Sequence, residues 1–222
     1  RGKGDVHSLQ PSAASITQIT ELGSVYSKEE ICAISEACHS KGLTLHMDGA
    51  RFANAVAAMD TTPAEISWKA GVDVMTFGAT KNGAIGVEAV IFFNKKLALN
   101  FAFRRKRAGH LFSKMRFLSA QMEAYLTDFL WLNNARHANA MANRLYTGLA
   151  QLKPFAFPYT GGGNMLFPKL SQAYYKALKD KGFIFYHGRW EEDIARLVTA
   201  FNTCPDSVDA LIEASSQLAG QK

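Results

Sequence analysis

The stretch LHMDGARFANA places Asp48 and Arg51 just past an apolar run, and TFGATKNGA places a lone lysine, Lys81, at a similar point downstream. A lysine held in a pocket at the end of a buried strand can form a Schiff base with a carbonyl compound. An aspartate set against a pyridine nitrogen favours the protonated ring by charge pairing, which makes the ring a better electron sink. The two side chains together describe pyridoxal-type chemistry. Spacing alone does not decide it. Asp and Lys at strand ends are frequent in α/β proteins, and Asp48 paired with Arg51 across a surface turn beside a solvated Lys81 satisfies the same pattern.

The elements around these residues can be read from periodicity. A short β-prone run, AASITQI, precedes SKEEICAISEACHSKG, in which Ser27 and Glu30 form a capping box and Ile31, Ile34 and Cys38 recur at helical spacing up to a stop at Gly42. LTLHM alternates and delivers Asp48 to the carboxyl end of a strand. Thr62, Pro63 and Glu65 predict a second capped helix closed by Gly71, and VDVMTF a strand with Lys81 four residues beyond it. VEAVIFF is nearly continuous in apolar residues, as a strand buried on both faces would be. Strands alternating with helices on short connections predict an α/β fold, a mostly parallel sheet with helices packed over it. Ligands bind such sheets at the carboxyl ends of the strands, where both turns lie.

The period then becomes helical. Leu118, Met122, Tyr125, Leu126 and Phe129 share one stripe, and Ala138, Met141, Ala142, Leu145 and Leu149 another, both read as core. The prolines and glycines of LKPFAFPYTGGGN predict a domain boundary near Lys153. Residues 1–152 then form a large, candidate cofactor-binding domain, and residues 153–222 a small C-terminal α+β domain.

The 222 residues, 48% hydrophobic and 20% charged, suit a globular protein rather than a disordered one. No apolar run is long enough to span a membrane and no secretory leader is visible, so a soluble, cytoplasmic protein without a membrane partner is expected. Cys32, Cys38 and Cys204 have neither CxxC nor metal-ligand spacing, which predicts three small buried thiols and no metal. The basic run FRRKRAGH lacks the interleaved aromatics of a nucleic-acid binder and reads as a solvated or subunit-facing helix end, so no nucleic-acid partner is expected. GxGxxG after a strand and GxxxxGK before Ser or Thr are both absent, so neither nucleotide fingerprint applies.

LHMDGARFANAVA, AGVDVMTFGATKNG, FRRKRAGHLFSKMRFLSAQ and RLVTAFNT, in that order, closely resemble the low-specificity L-threonine aldolases. These are pyridoxal 5'-phosphate lyases of amino acid metabolism with the aspartate-aminotransferase fold, fold type I. The resemblance runs from about Val6 to about Leu211. It implies that Lys81 holds the cofactor covalently, that Asp48 pairs with the pyridine nitrogen, and that Arg51 faces the cofactor and the substrate carboxylate. It also implies that Arg196 grips that carboxylate with its planar fork of donors. Arg116 and Lys106 or Arg107 correspond to basic residues near the cofactor phosphate or a subunit interface. The implied reaction cleaves a β-hydroxy-α-amino acid, L-threonine or L-allo-threonine, to glycine and acetaldehyde. The implied assembly is a homodimer or homotetramer.

The resemblance begins about a third of the way into the family's length, beyond the loop that cups the cofactor phosphate and the histidine that stacks on its ring. The chain, which starts at Arg1, therefore reads as a fragment, and whether it is active alone is left open. No residue stands out as a base for the β-hydroxyl; His46, two residues before Asp48, is either a brace for that acid or a core histidine. Two other readings remain: another pyridoxal-phosphate lyase or aminotransferase on the same scaffold, and a non-catalytic assembly protein.

Overall fold

A computed structural model describes residues 4–220. Its first sheet has four strands in the order β1 (Ala13–Thr17), β2 (Thr44–Gly49), β3 (Val74–Gly78) and β4 (Glu88–Phe92). β1, β2 and β3 are parallel, with Thr17 opposite Asp48 and Asp48 opposite Thr76. β4 runs antiparallel to β3 at the sheet edge. The segment 79–87 between them is too short for the crossover that a parallel partner needs.

That geometry corrects the reading of VEAVIFF. Ala89 and Ile91 turn towards the core, whereas Glu88 and Val90 are exposed, so β4 is covered on one face. The other strands follow the same division. On β2, Leu45, Met47 and Gly49 are buried, and Thr44, His46 and Asp48 alternate onto the opposite, half-buried face. Val74 and Thr76 of β3 share that second face, while Met75 and Phe77 join the core.

Helix α1 (Lys28–His39) begins where its capping box predicts: Glu30 N–H donates to Ser27 Oγ, and the Glu30 carboxylate accepts from Ser27 N–H. Gly42 follows it with a left-handed φ of 72°. No α-helix forms at Thr62–Gly71; turns run into a single 3-10 turn, Trp68–Ala70. The Glu65 carboxylate that would complete the box is instead bonded to Lys28 and Lys69, and only a 3.4 Å contact links Glu65 N–H to Thr62 Oγ1. Helix α2 (Phe52–Met59) starts directly from the DGAR turn and buries Phe52, Ala53, Ala55 and Val56.

Helix α3 (Phe101–Arg107) ends in four exposed or half-exposed basic residues, as a solvated helix end would. Helices α4 (Arg116–Leu126) and α5 (Leu130–Leu149) meet at a kink where Asp128 and Phe129 have positive φ. The first predicted stripe is only partly core: Tyr125 is buried, and Leu126 and Phe129 are exposed at the kink. The second stripe is buried at all five positions. Trp131 and Ala135 belong to the core beneath the first sheet, and Met141 to Leu149 belong to a second core, so α5 serves both.

The second core lies against a three-stranded antiparallel sheet ordered β5 (Met165–Leu166), β7 (Ala195–Val198), β6 (Tyr186–His187), with helices α6 (Gln172–Asp180) and α7 (Pro205–Gly220). Of the three cysteines only Cys38 is buried; Cys32 is half-buried and Cys204 exposed, all with free thiols. None of the helices is long and apolar enough to cross a membrane among the described residues.

Candidate active site

Asp48 is the last side chain of β2 before the glycine, and its own turn fixes it: Oδ1 accepts from Ala50 N–H at 2.9 Å. Its main-chain carbonyl accepts from Gln18 N–H at 2.8 Å, which ties the turn to the end of β1. Oδ2 has no hydrogen-bond partner, and no ion pair joins Asp48 to Arg51, among the described residues. A surface Asp–Arg clasp is therefore not what the turn builds.

Lys81 sits on a 3-10 turn, Thr80–Asn82, just beyond β3, and its ammonium makes no hydrogen bond or ion pair among the described residues. The residues on either side of it are anchored. Thr80 Oγ1 accepts from Val87 N–H at 3.1 Å. The buried Asn82 amide donates to Tyr125 Oη and to the Trp131 carbonyl, both at 2.7 Å, and Asn134 donates to the Asn82 carbonyl at 2.8 Å. An unpartnered, exposed amine thus projects from a fixed backbone. Burial pushes the Tyr125 hydroxyl up to about 12, helped by the charge of Glu88 and opposed by the bond from Asn82.

The two turns touch. A β-carbon on Gly78 would stand 2.8 Å from Ala50 Cα, so glycine at 78 lets the chain leading to Lys81 pass against the DGAR turn.

Arg51 caps α2 with its main chain, its carbonyl accepting from Asn54 and Ala55 N–H. Its guanidinium is held below its ordinary pKa by burial first and by the like charge of Arg196 second. Arg196 comes from β7, where Ala195 and Leu197 face the second core and position 196 alternates to the other side. Both Nε atoms are buried and without a hydrogen-bond partner among the described residues. Each guanidinium thus keeps an unused buried donor, the kind of group that can take an anion.

Three of the histidines are engaged elsewhere. His46 Nδ1 shares a 2.8 Å hydrogen bond with Ser15 Oγ on β1, so it does not brace Asp48. His137 donates to the Thr203 carbonyl and His187 to the Leu170 carbonyl. Arg116 lies over the ring of its neighbour Phe117, and Lys106 donates to the Leu111 carbonyl; no hydrogen bond or ion pair joins either to Asp48 or Lys81 among the described residues. Clefts of about 610 and 450 Å³ lie away from Asp48, Arg51 and Lys81, the second with Arg196 on its rim. The Asn82–Tyr125–Trp131 clamp escapes sequence reasoning, since its partners are 43 and 49 residues from Asn82. The one available signal is that Asn82 follows Lys81 directly.

The beta-eliminating lyase sequence model matches residues 1–168. The chain belongs to that family. Within it, the low-specificity L-threonine aldolases of Pseudomonas sp. (strain NCIMB 10558) and Pseudomonas aeruginosa are 48% and 47% identical to the chain over 182 residues. That stretch is 82% of this chain and 53% of each relative, so the chain spans about half the length of the curated relatives it matches. A solved threonine aldolase from Leishmania major superposes with a TM-score of 0.90 at 32% identity, over 97% of this chain and 64% of that one. A histidinol-phosphate aminotransferase from Clostridium acetobutylicum has a TM-score of 0.72 at 13% identity, over 95% of this chain and 65% of that one, a likeness of fold alone. The α/β architecture expected from the sequence, and its fold type, are the ones these enzymes carry.

Proposed function

We propose that the protein to which this chain belongs is a pyridoxal-phosphate-dependent aldolase that cleaves β-hydroxy-α-amino acids, L-threonine or L-allo-threonine, to glycine and acetaldehyde. The observation that carries it is the pairing of turns: Asp48 ends one strand and Lys81 follows its neighbour, and the chain leaving each touches the other at Gly78 and Ala50. The donor set fits the cofactor. Asp48 keeps one carboxylate oxygen without a protein partner for a ring nitrogen, and Lys81 keeps an unpartnered amine for an aldehyde carbon. The aldolase names of the 48% and 47% identical relatives support the reading.

When bound, pyridoxal phosphate supplies an electron sink for the pair released at Cα. This chain's residues do the remaining work. Asp48 would hold the ring nitrogen and favour its protonated form by charge pairing. Lys81 Nζ would hold the cofactor through its aldehyde carbon, and the same amine could take or give a proton within the site. Arg196 and Arg51 would bind the α-carboxylate and so orient the substrate about Cα. The β-hydroxyl proton is not assigned to His46, His137 or His187, each of which is committed to another partner.

The protein is read as a cytoplasmic homodimer or homotetramer acting on a small amino acid. Product analysis tests the reaction. Threonine turned over to glycine and acetaldehyde, and lost in Lys81→Ala, supports it; a keto acid as the product points instead to the β-elimination that the family's name describes.

A further inference from the structure

Arg196 is held in an unusual way for a half-buried guanidinium. No carboxylate lies within 4.0 Å of it among the described residues. Its charge instead sits 5.6 Å from the ring centroid of Trp190, and Nη2 donates to Met165 Sδ at 3.2 Å. Arginine carries five N–H donors in a rigid fork, and a carboxylate takes two. A protein carboxylate at this position would fix the side chain but neutralise it and occupy the fork. An indole face fixes the charge without using a donor.

Trp190 is itself held in place. It lies on the turn between β6 and β7, closed by Gly188 N–H donating to the Ile194 carbonyl and Ile194 N–H donating to the Glu191 carbonyl. Its ring meets Phe167 edge-on at 5.6 Å, and Phe167 meets Tyr159 at 6.1 Å. Tyr159 Oη donates to the Glu191 carboxylate next to Trp190, which closes the row. The turn of the second sheet is thereby pinned to the core beneath the first, and the guanidinium of Arg196 is pinned with it.

We propose that Trp190 is a positioning residue that holds the Arg196 guanidinium ready for the α-carboxylate of an amino acid. The inference rests on the carboxylate role given to Arg196 above. Replacing the indole releases a side chain that has considerable rotamer freedom to lose on binding, so the ligand then has to order it.

The test is the rate at which phenylglyoxal modifies Arg196, read by peptide mass mapping, with and without acetate, which is the carboxylate of glycine without its amine. Arg144, locked to Asp209 by two hydrogen bonds, is the internal control for the fold. In the unmodified sequence Arg196 should react slowly and be protected by acetate. In Trp190→Leu it should react about threefold to tenfold faster and lose that protection, with Trp190→Phe in between, because indole is the stronger cation–π partner. Unchanged Arg196 reactivity in both variants overturns the proposal, as does parallel acceleration at Arg144 or the absence of acetate protection in the unmodified sequence. If Trp190→Leu does not fold, Trp190→Phe decides by the same criteria. Borohydride reduction with pyridoxal phosphate, run alongside, separates the two claims: no Lys81 adduct while acetate still protects Arg196 refutes the cofactor reading and leaves the role of Trp190 standing.

Discussion

Gly78 lies against Ala50 so closely that a β-carbon at position 78 would stand 2.8 Å from the Ala50 Cα and 3.0 Å from its carbonyl oxygen. Backbone cannot swing aside as a side chain can, so Gly78→Ala should separate the two turns. The expected cost is about 1 to 3 kcal/mol, as for other overpacked sites. Chemical denaturation measures it, and wild-type stability in the variant would show that the contact is soft.

Asn82→Ala removes the donor of two 2.7 Å bonds and leaves the buried Tyr125 hydroxyl and Trp131 carbonyl without that partner. Tyr125 Oη still donates to the Gly78 carbonyl, so the loss is that of two buried hydrogen bonds, about 1 to 3 kcal/mol in all. The variant should therefore melt lower, and amide exchange should quicken across Thr80–Asn82. Exchange as slow as in the parent would mean that Asn134 alone holds the turn.

Tyr125 provides a pH signature. Its folded pKa is raised from 10.0 to about 12, so the unfolded chain loses that proton first as pH rises. Stability from this group is complete below pH 10 and declines as pH passes through about 12, by roughly 2 to 3 kcal/mol in all. Unfolding free energies between pH 9 and about pH 12 should fall less steeply in Tyr125→Phe than in the parent. Equal slopes would contradict the burial of the hydroxyl.

Arg51 should act in the opposite sense to a structural residue. Burial and Arg196 both disfavour its charge, and its Nε has no partner. Arg51→Met keeps the length of the side chain and removes a poorly compensated charge, so it should unfold within about 1 kcal/mol of the parent or at higher denaturant. A loss of several kcal/mol would show that the guanidinium supports the fold and is not reserved for a ligand.

Much of this site was legible in the sequence because its parts are local. The capping box at Ser27 and Glu30, the alternation that ends at Asp48 and the turn carrying Lys81 each depend on neighbours a few residues away. At β4 the sequence misleads, because a continuous apolar run looks the same whether it is buried on two faces or lies at an edge; the short 79–87 connection decides, by forbidding a parallel crossover. The Thr62 helix was misread because Lys28 takes the Glu65 carboxylate from 37 residues away. The sequence leaves His46 between a brace for Asp48 and a core histidine; the register places Ser15 directly across from it, and the two share a hydrogen bond. The clamp on Asn82 and the row from Tyr159 through Trp190 to Arg196 exist only once distant segments have packed.

The most direct measurement is borohydride reduction of the chain after incubation with pyridoxal phosphate, followed by peptide mapping. The account predicts one dominant adduct, on Lys81, formed less readily in Asp48→Asn and absent in Lys81→Ala. An adduct spread over the exposed lysines, with Lys81 labelled no faster than Lys95 or Lys96, would contradict it.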